Sequence, residues 1–519
     1  MHAESAYLFR HAMLREAAYG LQLPTDRAAM HGLAFRLIEQ AFGGPAPEPG
    51  PLDTQRPGRM PPHPTDPVAE DLAWHARMAL EGVPNPGPEL AAGLRLYLRR
   101  AAEYADAGFR PATALGAWLA LSDQCHGAQK AAVLRRAAMS GEGAGQSAHA
   151  RELIDHALGL LGPDAEPRFR ALALRTRGDL LQMTGEPVPA REAYEQALQL
   201  FRDLRDSAGV ATTSASLGLA LSRAGMADRA ESLLREAMAI HRENGDTRGE
   251  GVALASLAGL LDDTGKPHEA PGCYQQALEL LRRAGDRRFE GITLGNYALS
   301  QARCGNTVEA LDAYEQALKI HAEVGNQRSA GMVLGNRAAV LARTGHVAQA
   351  KRDLETAIQI ARDTGNRPYE GVATENLALR YQDDGDWPQA EALFMRALAI
   401  HTASGNVRGR GMATHHLGML YHKAGRHAEA RETLLRSIAL HEQAKNPQWK
   451  AEAHCDLALL ALETGDPSEA RTLWLEGLAQ LQKLGLAAAI AEHTGYMREA
   501  CAKAGVPAFL PTDPGGTTP

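Results

Sequence analysis

The chain has 519 residues, 45% of them hydrophobic but only 5% aromatic, with 51 glycines and a formal charge of −7. So small an aromatic share beside so much alanine argues against a β-sandwich or barrel and for closely packed helices. Its 55 basic residues form no block, which removes a nucleic-acid footprint.

In chain order, residues 1–42 read as a helical hairpin broken at Pro24-Thr25-Asp26. Residues 43–67 hold nine prolines, a composition that predicts an extended, mobile linker without a core. Residues 68–144 read as irregular helical repeats, with helices expected at Val68–Leu80 and Glu89–Tyr104.

A regular repeat occupies residues 145–484. Glycine recurs every 40 residues from Gly185 to Gly465, and alanine follows each by five, from Ala190 to Ala470. Seven residues later comes Ala197, then its equivalents to Ala397, relaxing to Ser437 and Gly477. Each unit predicts two helices, the first near Gly251–Asp262 and the second near Pro267–Arg283. Gly265 and its equivalents are expected to end the first helix at φ > 0, and Gly245, Gly285, Gly325, Gly365 and Gly405 the second. Asp246, Asp286, Asn326, Asn366 and Asn406 follow as expected N-caps. Residues 485–505 predict a helix capping the last apolar face, and 506–519 a disordered tail.

These residues resemble the tetratricopeptide repeat. The Leu-Gly/Ala pair stands at Leu217-Gly218, Leu257-Ala258, Leu377-Ala378, Leu417-Gly418 and Leu457-Ala458, and the second-helix pattern at Ala270-Tyr274-Ala277 and Ala310-Tyr314-Ala317. The first-helix tryptophan is absent and the unit is 40 residues rather than about 34. That longer unit is similar to the variant of bacterial signalling proteins. The resemblance implies an all-α, right-handed α-solenoid. At the front, Tyr7-Leu8-Phe9-Arg10-His11-Ala12 and Leu14-Arg15-Glu16-Ala17-Ala18-Tyr19 resemble the joint between ATPase core and repeat arm in bacterial multidomain signal-transduction ATPases. The nearest phosphate-binding string, Gly259 to Lys266, has one residue too many between its glycines, so the chain carries no such ATPase. Met1 is also readable as a late start of a longer protein.

No catalytic constellation emerges, and neither a cofactor nor a metal is implied. Five widely spaced cysteines suggest buried thiols in a reducing cytoplasm. The first residues do not read as a signal peptide and no 18-residue apolar run occurs, so no membrane partner is expected. His241, His321, His401 and His441 share one repeat position, read as a preference for the negative end of the second helix. The candidate site is a ladder on the first helices: Ser216, Ser256, Asn296, Asn336, Asn376 and His416, with Arg303 and Arg343 one turn along. Helices spaced ~8–10 Å would offer one carboxamide per three residues of an extended peptide rising ~3.3 Å per residue. The function expected is therefore a non-catalytic scaffold binding a protein or peptide in a concave groove. The alternative is a regulatory arm, with residues 1–42 docking on a separate P-loop ATPase or kinase.

Overall fold

The computed structural model describes residues 19–20, 22–52, 60–81, 87–162, 167–266 and 268–509. Among them are 23 α-helices and no strand, as the composition predicts. Residues 7–18 of the front string, Pro267, and the tail from 510 onward lie outside the described residues. The chain divides into two compact units, Met1–Cys304 and Gly305–Pro519.

One repeat shows how the local sequence sets the structure. Its first helix, Thr247–Asp263, starts where Asp246 accepts a hydrogen bond from the Gly249 N–H, and ends before Gly265 at φ +78°. The second, Ala270–Arg283, packs Ala270, Tyr274 and Ala277 against it. Leu257 between them is 2% exposed. The small member of the Leu-Gly/Ala pair is a steric requirement: a Cβ on Gly218 would stand 2.9 Å from Leu234 Cγ. Asp286, Asn326 and Asn406 cap their helices as expected, whereas Asn366 makes no side-chain cap.

In the first unit this repeat is preceded by helices Pro24–Ala41, Ala69–Glu81 and Pro88–Ala107, each packed on the next. The proline-rich segment carries almost no helix, as its composition requires, but its described parts are not free. Arg100, wholly buried, donates to Asp66 Oδ1 at 2.8 Å, to the Pro47 carbonyl at 2.7 Å and to the Pro61 carbonyl at 3.0 Å. Tyr97 adds a bond to Glu39 Oε1 at 2.7 Å, and the Ala46 N–H donates to the Tyr97 hydroxyl. The expected mobile spacer is thus corrected: one guanidinium supplies donors to carbonyls that prolines, lacking N–H groups, cannot satisfy among themselves.

In the second unit, hairpins from Thr307–Glu323 to Pro467–Lys483 stack in order. The helix Ala487–Ala504 lies against the last pair and buries Met497 and Cys501. Residues 506–509, expected to be disordered, continue along it; Trp474 Nε1 donates to the Phe509 carbonyl at 2.8 Å.

Candidate functional site

In each unit the first helices lie side by side and touch. In the first these are Pro167–Met183, Ser207–Arg223, Thr247–Asp263 and Arg287–Arg303. In the second they are Gln327–Arg343, Arg367–Asp383, Val407–Lys423 and Pro447–Glu463. Helical spacing leaves one side of the middle ones at least partly uncovered, whereas neighbouring helices cover Pro167–Met183 and Pro447–Glu463. On Gln327–Arg343 that side is Met332, Asn336, Ala339 and Arg343; on Arg367–Asp383 it carries Val372, Asn376, Leu379 and Asp383. Met332 and Val372 are 48% and 41% exposed.

The ladder residues fall into two groups. Asn296 and Asn336 are exposed and Asn376 half-buried, and their carboxamides have no hydrogen-bond partner among the described residues. Arg343 is exposed and without an ion pair there. The others are already engaged. Ser216 bonds to Asp179, whose carboxyl is pushed up by burial and held back by Arg175, Tyr194 and Ser216 among others. Ser256 donates to the Val252 carbonyl of its own helix at 3.0 Å, Arg303 pairs with Asp263 at 3.1 Å, and His416 faces Glu375 at 3.5 Å.

The repeating histidines are a correction. His241, His321, His401 and His441 are at most 2% exposed, so they are core residues rather than solvated dipole partners. The rings of His401 and His441 fill space that glycines on the preceding first helix leave open: a Cβ on Gly371 would meet His401 Cε1 at 2.3 Å, and one on Gly411 would meet His441 Cε1 at 2.8 Å. The 40-residue recurrence of glycine from Gly251 through Gly411 was the available signal. His241 Nδ1 sits 3.0 Å from the Asp246 carboxylate. His401 bonds Glu375 Oε1 at 2.8 Å and the Asn406 carboxamide at 3.3 Å. Burial disfavours the Glu375 carboxylate, but the His401 and His416 hydrogen bonds outweigh it and hold its pKa below the usual range. His415 bonds Asp456 at 2.7 Å, and Trp449 packs edge-on against both His415 and His416.

Buried charge also ties one hairpin to the next. Glu290 receives Arg282 and Arg287, and Glu370 receives Arg362, Arg367 and Arg396. Among the described residues no cluster of histidine, cysteine and carboxylate side chains is placed to hold a metal. Burial pushes the Cys455 thiol up to about 12, which makes it a packing group rather than a nucleophile. No described helix is long and apolar enough to cross a membrane.

Fold and face together define a helix-hairpin repeat protein with an uncovered side on its middle first helices. The tetratricopeptide repeat model matches residues 169–243, 249–323, 329–403 and 410–483, more than half of the sequence, and the chain belongs to the tetratricopeptide repeat family. Among curated proteins none matches significantly. Solved structures of similar fold include a Rap protein complexed with Competence and Sporulation Factor, at 12% identity over 73% of this chain and 98% of that one, with a TM-score of 0.50. A signal transduction ATPase with numerous domains and a tetratricopeptide repeat sensor, from Pyrococcus horikoshii, matches at 15% identity and a TM-score of 0.47. That match covers 73% of this chain, which spans only 55% of that protein's length. The apo form of the quorum sensor NprR from B. thuringiensis matches at 14% identity over 66% of this chain and 97% of that one, with a TM-score of 0.44.

Proposed function

We propose that this chain is a non-catalytic cytoplasmic interaction protein whose uncovered first-helix faces bind an extended segment of a partner protein. The observation that carries the reading is the state of three carboxamides. Asn336 and Asn376 occupy equivalent positions on adjacent first helices of the second unit, beside exposed Met332 and Val372, and Asn296 holds that position in the first unit. A carboxamide with free donor and acceptor matches a peptide unit's C=O and N–H, and the flanking apolar groups offer area to bury. Ser216 and Ser256 support the surface from within, since their hydroxyls are already engaged, and His416 faces the buried Glu375.

The test is affinity capture from the source cells with wild-type chain and with the Asn296→Ala/Asn336→Ala/Asn376→Ala variant, read by mass spectrometry. A partner retained by wild type and lost by the folded variant supports the groove. Equal capture by both would sink it. A P-loop ATPase or kinase captured equally by both would favour the second reading, a regulatory arm, for which the front string Tyr7–Tyr19 is the motivating feature.

A further inference from the structure

One joint in the second unit combines departures that occur singly elsewhere, Arg205 also taking φ +52° and Asn366 also making no cap. In the regular joints a glycine ends the second helix, at φ +67° in Gly245 and +66° in Gly405. Here Lys445 takes φ +50°, a conformation that costs a side-chain-bearing residue about 1–2 kcal/mol. Asp246 and Asn406 cap the next helix; Asn446 makes no cap, and its Nδ2 is buried without a partner. His401 bonds its N-cap residue Asn406 and His241 Nδ1 sits 3.0 Å from the Asp246 carboxylate, whereas neither ring nitrogen of the buried His441 has a hydrogen-bond partner.

The charges are inverted as well. The regular pairs set arginine on the second helix and glutamate on the next first helix: Arg242–Glu250, Arg282–Glu290 and Arg362–Glu370, each at 2.8 Å. At this joint the pair is Glu442–Lys450. Lys450 therefore sits in the opening turns of the helix Pro447–Glu463, whose first turn holds no acid. A helix N-terminus carries about half a positive charge, so a lysine is poorly placed there unless an anion joins it.

These residues line a cavity of about 560 Å³, together with Lys483. Lys445 and Lys483 are exposed and have no ion pair among the described residues. Only nine of the chain's 55 basic residues are lysine, and three of the nine meet here, with no arginine. Arginine's planar fork suits a carboxylate; lysines are compact point charges that converge on a tetrahedral oxyanion. Three ammonium groups against one carboxylate, a helix N-terminus and an unpartnered carboxamide donor describe a phosphate site. The volume far exceeds one phosphate and falls within the range of small-molecule pockets.

We propose that this cavity binds a small phosphomonoester, with Lys445, Lys450 and Lys483 on the phosphate and Asn446 completing its hydrogen bonds. The site is separate from the uncovered first-helix face and stands or falls independently of the groove.

Calorimetric titration of the full chain with inorganic phosphate and with AMP, each alone in chloride buffer at neutral pH, tests it. AMP should bind with a Kd below about 1 mM and more tightly than phosphate. Lys483→Gln should weaken AMP about tenfold, the worth of a charge-assisted contact. Glu442→Arg/Lys445→Gly/Lys450→Glu restores the arrangement of the regular joints, so it should fold at least as well and bind at least tenfold more weakly. No heat from either probe at about 10 mM, or equal binding by wild type and the restored joint, would overturn the proposal. Phosphate binding as tightly as AMP would also overturn it, leaving an adventitious ion only.

Discussion

The front of the first unit and its regular repeats are built from different forces. In a regular repeat, alanine, glycine and leucine at fixed spacing let neighbouring helices close on each other, and nearly all contacts are local in sequence. At the front, Arg100 reaches 53 residues back to Pro47, 39 back to Pro61 and 34 back to Asp66, and Arg135 reaches the Leu52 carbonyl at 3.1 Å. The lesson is that a repeat tolerates the loss of one contact as a local defect, whereas the front concentrates its order in buried cations, Arg100 above all.

Breaking that cation should therefore give the largest effect. Arg100→Ala leaves Asp66 buried without its partner and two carbonyls without donors, and should cost about 3–5 kcal/mol. Guanidinium denaturation would read the loss, and limited proteolysis should find residues 44–52 newly exposed. In the regular repeats, Leu257→Ala should cost ~2–5 kcal/mol by leaving a cavity, without exposing the proline-rich segment to protease. If the two variants gave the same proteolytic pattern, the contrast between the regions would fail.

A smaller effect is sought in pH. Burial, followed by His415, Arg408 and His416, pushes His441 down to about 4 from its ordinary 6.5. Between those values the unfolded chain protonates this ring and the folded chain does not. The unfolded state then binds more protons, and stability falls as pH is lowered through that window. The urea midpoint of wild type should drop from pH 7 to pH 4.5, and His441→Gln should reduce the drop. The smallest change is Lys445→Gly, which removes a side chain from a left-handed position and should stabilise the ligand-free chain by about 1 kcal/mol in thermal unfolding.

Much of the repeat region was legible from residue spacing. Glycines at fixed intervals marked both helix ends, and Asp246, Asp286, Asn326 and Asn406 were recognisable as caps because an N-cap is a local event. The buried roles of His401 and Glu375 were not legible, since His401 packs against Gly371, 30 residues before it, and Gly409, eight after it, and bonds Glu375, 26 before it, all on other helices. Nor was the docking of the proline-rich segment, because composition reports what a segment cannot do alone and not which distant arginine will satisfy it. The asparagine ladder was visible in sequence, but its division into free carboxamides and engaged neighbours emerges only from the packed helices.

The most direct test of the uncovered face is a photo-crosslinking amino acid placed at Met332, at Val372, and at Met395 on a second helix, which is 56% exposed. Crosslinked products from the source cells would be compared by mass spectrometry. The account predicts one shared partner at Met332 and Val372 that is missing at Met395. The same products at all three positions would contradict it.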